Sequence, residues 1–189
     1  MNKGFKRIVF EFLSIVVAVL LAMGLTEWRQ EILNKRQAEK SYESILEEVQ
    51  NNHENLLPDS TTMAELITKI DNWLDAEKEA RDTIGSFDYE LNLLSKSAWD
   101  VAKFNSSMTY IDNDRLQGIS LVYEFHDFYV RSGSEVFDTL TELMKINRED
   151  DEYEGAMRAL RLKVGLTYNS LVGYLASSRE IMGISAPSD

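Results

Sequence analysis

The sequence predicts an all-α protein: an N-terminal transmembrane helix that continues into an antiparallel helical bundle. Three observations predict it. The stretch Ile8 to Thr26, IVFEFLSIVVAVLLAMGLT, has Glu11 as its only charge. Beyond it, apolar residues recur at three- and four-residue steps, the period of an amphipathic helix. The 189 residues include only two prolines and nine glycines, too little turn material for a fold of many β-hairpins.

Five segments follow. Residues 1–7 are a basic tail, 8–26 the span, 27–57 a stalk and first bundle helix, 58–183 the remaining helices, and 184–189 a C-terminal tail. A spanning helix needs about 20 mostly apolar residues. Lys3, Lys6 and Arg7 precede the run, and Trp28 follows it, where an indole favours the membrane interface. The rival is a cleaved signal peptide, with Ala22-Met23-Gly24 as its small-x-small site. A carboxylate in the apolar run speaks against cleavage. So does helix-forming sequence that continues directly after Gly24. The reading is therefore an anchor.

Glu11 stands one turn past Arg7. A helical i,i+4 pair with Arg7, or snorkelling to the headgroups, satisfies it cheaply. A contact with another span and ion coupling are its other possible roles. For orientation, three cations packed before the span face Arg29, Lys35, Arg36 and Lys40 after it, which are mixed with Glu27, Glu31 and Glu39. The undiluted cluster places the N-terminus in the cytoplasm and exports the body.

In the body, Ala38, Tyr42, Ile45, Leu46, Val49 and Leu56 form the first apolar stripe, with His53 on it. Residues Asn34 to Gln37 are polar all round, which predicts a stalk without a packing partner. Pro58 ends this helix. A second helix begins near Asp59 or Ser60, with Thr62 and Glu65 at capping-box spacing. Met63, Leu66, Ile67, Ile70, Trp73 and Leu74 form its apolar face, and Gly85-Ser86 lies in the connection after it. A third helix covers about Tyr89 to Phe104, with Leu91, Leu94, Ala98, Trp99 and Ala102 inward, and Asn105-Ser106-Ser107 is a loop. Asp112 or Asn113 caps a fourth, from Leu116 to Ile146, which Gly133 kinks or breaks. Glu149 to Glu152 favour the start of the last helix through the macrodipole. Its stripe is Tyr153, Met157, Leu160, Val164, Leu171 and Leu175, and Gly183 and Pro187 end it. No stretch of strict alternation competes with these helices.

Charge is unevenly spread. The formal net charge is −12, yet residues 1–30 carry +2, so the remainder carries −14. An acidic body is a poor nucleic-acid binder, because phosphate contacts need clustered Lys or Arg. The simplest use of such a surface is solubility.

Two patches resemble a known group. The first is EFLSIVVAVLLAMGLTEWRQ followed by YESILEEVQNNHENL, in which Glu11, Leu21, Trp28, Ile45, Glu48 and Asn52 carry the pattern. The second is SKSAWDVAKFNSSMTYIDNDRLQGISLVYEFHDFY, through Ser95, Ala98, Trp99, Leu116 and Tyr123. Together they look like the uncharacterised bacterial single-pass inner-membrane proteins of domain-of-unknown-function type. The resemblance implies a membrane span and an all-α soluble domain. No catalytic set comes with it.

Motifs for chemistry are sparse. The absence of cysteine excludes disulfides, thiolate metal sites and a cysteine nucleophile. His53-Glu54 begins like a zinc helix, but Leu57 stands where the second histidine belongs. Asp112-Asn113-Asp114 lacks the glycine and terminal glutamate of a calcium loop, so capping is its expected job. There is no nucleophile elbow, phosphate loop or dinucleotide fingerprint. His126-Asp127 among aromatics reads as a structural, hydrogen-bonded pair. Trp73, Trp99, Tyr123, Phe125, Phe128 and Tyr129 read as core, and as the wall of an apolar pocket in the lesser reading.

The expected function is a non-catalytic, membrane-anchored interaction or scaffold module, without cofactor or metal. Its partners are the lipid bilayer and a protein partner or a second copy; nucleic acid is excluded. The alternative is an accessory or sensory subunit of a larger membrane complex, with Glu11 at the intramembrane contact. An enzyme would need a carboxylate pair in a cleft. Glu11, Arg7 and Trp28 are the candidate contact residues.

Overall fold

The computed structural model describes residues 3–105, 107–148 and 150–183, with side chains from Phe10 onward apart from positions 82 and 107. Four α-helices pack together and none of the described residues lies in a strand, so the all-helical bundle with its long apolar N-terminal helix is the fold. The helices are α1 (Lys3–Asp75), α2 (Ser97–Phe104), α3 (Asn113–Leu143) and α4 (Asp151–Met182). A 3₁₀ helix at Lys78–Thr83 follows α1, and another at Ser107–Tyr110 follows α2.

α1 is one helix of 73 residues with Pro58 inside it. The sequence predicts a break at Pro58 and a new capped helix from Asp59 or Ser60; neither occurs. Proline removes one backbone donor, here the one for the Glu54 carbonyl. Glu54 and Pro58 are both exposed, so water is available to that carbonyl. Leu56 and Met63 bury on either side, and Asp59 accepts from Asn92 Nδ2 at 2.7 Å and from Tyr129 Oη at 3.0 Å. These contacts hold the helix through the proline. Thr62 caps nothing: its hydroxyl donates back to the Pro58 carbonyl at 3.3 Å.

The predicted helix from Tyr89 is also shorter. Only Ser97–Phe104 is helical, and residues 85–96 form neither helix nor strand. Lys69 Nζ donates to the Ser86 carbonyl, and Ser97 Oγ reaches Glu48. The 21 residues of α1 between those partners span about 31 Å. Eleven residues of the returning chain cover that distance, close to the rise of an extended chain. We call residues 85–96 the strap. Phe87, Tyr89 and Leu91 are half-buried while Asp88, Glu90 and Asn92 are exposed. This is the strict alternation that the helical reading overlooks.

α1 ascends, the strap and α2 return, α3 ascends again and α4 returns. Arg115–Glu39, Tyr123–Glu48 and Tyr129–Asp59 contacts run in step along α1 and α3. Arg161–Asp71 and His53–Ser178 run in opposite order along α4. The antiparallel topology therefore holds, with a strap in place of most of one helix. Two core layers stack along it. One is built on Ile45, Val49, Leu56, Tyr123 and Leu171, the other on Ile70, Trp73, Val136, Met157 and Leu160.

The bundle begins lower than the sequence predicts. Asn34 is no bare stalk: its Nδ2 donates to Tyr110 Oη at 2.9 Å. α3 passes Gly133 unbroken. That glycine serves close approach, because a Cβ there would stand 2.4 Å from Leu91 Cδ1 of the strap. Asp112 caps α3, accepting from the Asp114 N–H at 2.9 Å. Gly183 ends α4 with a left-handed φ of 68°. Glu149, Pro187 and the tail 184–189 lie outside the described residues.

Candidate functional site

The N-terminal third of α1 has no cover from the bundle. Every residue from Phe10 to Glu31 is exposed, with Phe10 at 74% and Leu21 at 69%. The helix is long and apolar enough to cross a membrane. Its hydroxyls bond within the helix: Ser14 Oγ donates to the Glu11 carbonyl and Thr26 Oγ1 to the Ala22 carbonyl, both at 2.8 Å. Internal satisfaction of this kind is what an apolar solvent demands. Glu11 lies exposed near the start of the segment, and Trp28 lies exposed two residues past Thr26. The Arg7 side chain, and with it the expected Arg7–Glu11 pair, lies outside the described residues. Along a helix Glu11, Ala18 and Ala22 fall on one face, at steps of seven and four.

The densest polar site is in the bundle. Glu48 accepts from Ser95 Oγ at 2.6 Å, Ser97 Oγ at 2.9 Å, the Ala98 N–H at 2.9 Å and Tyr123 Oη at 2.5 Å. One turn on, Asn52 accepts from the Ser95 N–H at 2.9 Å and donates to the Ser95 carbonyl at 2.7 Å. α1 thus supplies a carboxylate and an amide that fasten the strap and cap α2 from outside. A carboxylate suits the positive end of α2. Trp99 stacks on Tyr123 with ring centroids 4.9 Å apart. Burial alone would raise the Glu48 carboxyl, but the hydrogen bonds from Ser95, Tyr123, Ala98 and Ser97 outweigh it and hold the group below its usual range. The Tyr123 hydroxyl is pushed up by burial and by the Glu48 charge. Three of the donors converge on Oε2 and Tyr123 alone reaches Oε1, so the carboxylate is held as a structural acceptor between strap, α2 and α3.

The other sequence candidates are packing groups. His53 Nδ1 is 2.6 Å from Ser178 Oγ, and both are buried. Burial, helped by the Arg179 charge, lowers the His53 imidazole below its ordinary value. His126 Nδ1 lies 3.0 Å from Asp127 Oδ1, and Lys96 Nζ holds the same carboxylate at 2.6 Å. Burial opposes that charge, yet the Lys96 and His126 hydrogen bonds keep Asp127 low. Trp73, Trp99, Tyr123 and Tyr129 are core, as the sequence predicts. Phe128 is not: it is 39% exposed and lines, with Phe125, Leu121 and Leu166, a groove of about 300 Å³ between α3 and α4. Among the described residues, no three His, Asp or Glu side chains gather so as to hold a metal ion.

The Glu48 site joins residues far apart in sequence, and residue patterning alone misses it. Its available signal is the pair of patches around Ile45–Asn52 and Ser95–Tyr123, which the fold brings into contact. Comparisons with protein-family models, curated proteins and solved structures find no match to this chain.

Proposed function

We propose that the chain is a single-pass, membrane-anchored scaffold whose bundle presents a rigid surface to a protein partner or a second copy. The observation that carries this reading is the uncovered apolar segment from Phe10 to Thr26, continuous with the bundle in one helix. Water is a poor solvent for that surface, and its length falls within the range of about 17–25 apolar residues that cross a bilayer core. The Glu48 carboxylate, engaged by four donors within the bundle, and the buried His53, bonded to Ser178, support a non-catalytic role. The cation cluster before the span and the resemblance to inner-membrane proteins favour a cytoplasmic N-terminus and an exported bundle.

Affinity purification from native membranes tests the reading. A partner or second copy recovered through the bundle supports it. Recovery of the protein from the soluble fraction at native expression overturns the anchor. A periplasm-dependent reporter fused after Asp189 tests orientation; activity only from a cytoplasmic reporter reverses it.

The shared face of Glu11, Ala18 and Ala22 favours a second reading, an accessory subunit that meets another span through Glu11. Carboxylates within spans often sit at such contacts. Glu11→Gln should then weaken recovery of the partner, and unchanged recovery sinks this version.

A further inference from the structure

We infer that a second copy of this chain pairs with the first through the outer face of α4, the two α4 helices side by side and parallel. A surface helix carries its charged residues on the face turned from the core, and a helix that is apolar all round is one buried on every side. Residues 164–178, VGLTYNSLVGYLASS, run through α4 without one Asp, Glu, Lys or Arg. The core side of that stretch holds Val164, Leu171, Tyr174 and Leu175. The outer side is Leu162, Leu166, Asn169, Val172 and Ala176, all exposed and at helical steps of four, three, three and four. Leu162 is 64% exposed and Val172 43%. A chain in which 28% of residues are charged thus leaves this face bare of charge.

Charge selects the occupant. Parallel pairing rests on the membrane anchor proposed above, which gives every copy the same orientation. Two copies related by a two-fold axis along the membrane normal set residues near the axis opposite themselves. A charged face then meets its own charges. α1 would set Glu43, Glu47 and Glu54 against themselves, and α3 would do so with Glu124, Glu135 and Asp138, all exposed. Like charges so placed repel. The outer face of α4 meets itself without that cost. Leucine faces leucine at 162, valine faces valine at 172, and the Asn169 amide both donates to and accepts from its own copy. An asparagine within an apolar helix seam fixes register. Leu121 and Phe128 of α3 flank the ridge and extend its apolar surface. The ridge from Leu162 to Ala176 runs about 21 Å. That contact is smaller than a standard interface of about 800 Å² per partner. Copies already aligned in one membrane have lost part of the freedom that association costs, so a smaller contact suffices.

Packed helices stand about 8–10 Å apart. With α1 one helix outside each α4, the two spans stand roughly 20–30 Å apart. Single cysteines in this cysteine-free chain test the pairing in native membranes under copper-phenanthroline oxidation. L162C and V172C lie on the ridge, E47C and D138C on the outer faces of α1 and α3, and V17C in the proposed span. A disulfide needs Cα atoms about 4.4–6.8 Å apart. The expected result is disulfide-linked dimer at 162 and 172, several-fold above that at 47, 138 and 17. Val172→Lys added to L162C sets like charges in the seam and should reduce that dimer several-fold, with far-UV circular dichroism unchanged. If that variant fails to fold, the map of positions decides alone. Dimer that survives Val172→Lys, or that forms equally at all five positions, overturns the inference. So does a ridge cysteine that links to a different protein or to nothing, and a chain still held in the membrane then leaves the anchored scaffold standing. Dimer at 17 alone overturns it in favour of contact between spans. Recovery of the chain from the soluble fraction overturns the anchor, and the parallel pairing with it.

Discussion

Tyr123 of α3 donates its hydroxyl to Glu48 of α1 at 2.5 Å, across 75 residues of sequence. The bond lies in the proximal core layer, and the same carboxylate holds the strap and α2. From α1, Glu48 therefore ties together the strap, α2 and α3. Removing it should cost more than removing any one donor. We expect Glu48→Ala to destabilise the bundle by about 2–4 kcal/mol, since the buried Tyr123 hydroxyl and the part-buried donors of Ser95, Ser97 and Ala98 lose their acceptor together. Tyr123→Phe should cost about 1–2 kcal/mol, because three donors remain on the carboxylate. Thermal unfolding of the full chain in detergent measures both. Equal losses would show that the tyrosine, not the carboxylate, is the organiser.

Acid should weaken the bundle in two steps. The folded His53 is held below its ordinary 6.5, so the unfolded chain takes up that proton first. Stability is full above about 6.5 and falls as pH drops below it. Glu48 and Asp127 are held below their ordinary values of 4.5 and 3.8, so their contribution is present above those values and is lost as pH falls further. His53→Gln should abolish the first step and spare the second. A midpoint profile identical to wild type between pH 7 and 5 would rule out His53 as its source.

Three backbone substitutions should separate by sign. Gly133→Ala puts a methyl 2.4 Å from Leu91 Cδ1 and should cost about 1–3 kcal/mol while loosening the strap. Gly155→Ala meets no atom within 4 Å inside α4 and should gain about 0.5–1 kcal/mol. Pro58→Ala returns a donor to the exposed Glu54 carbonyl and should gain about 1–3 kcal/mol. Denaturant midpoints order the three. A loss at Pro58→Ala would mean that the ring itself shapes α1.

A charge in the middle of the apolar segment tests its solvent. Leu20 is 62% exposed there. Leu20→Arg costs about 2.5–3.5 kcal/mol for insertion into a bilayer. Carbonate-resistant membrane association should drop accordingly. Unchanged association would show that something other than this segment holds the chain to the membrane.

The all-helical class, the anchor-like run and the stripes from Ala38 to Leu56 and from Tyr153 to Leu175 are legible in the sequence. Each depends on spacing within one segment, and side chains three or four residues apart meet on a helix whatever surrounds it. The Asp112 cap and the Gly183 stop are legible for the same reason, since both act within one turn. The strap was not legible. Its alternation at Phe87, Tyr89 and Leu91 is short, and a helical reading accommodates the same leucines. Only the seam between α1 and α3, with Gly133 leaving room for Leu91, selects the extended form. Continuity through Pro58 was decided in the same way, by Asp59 partners that lie 33 and 70 residues away. So was the Glu48 site, whose donors come from three limbs. Local spacing determines which segments are helical. Long-range contacts decide where a helix continues despite its sequence, and where an apolar segment stays extended instead.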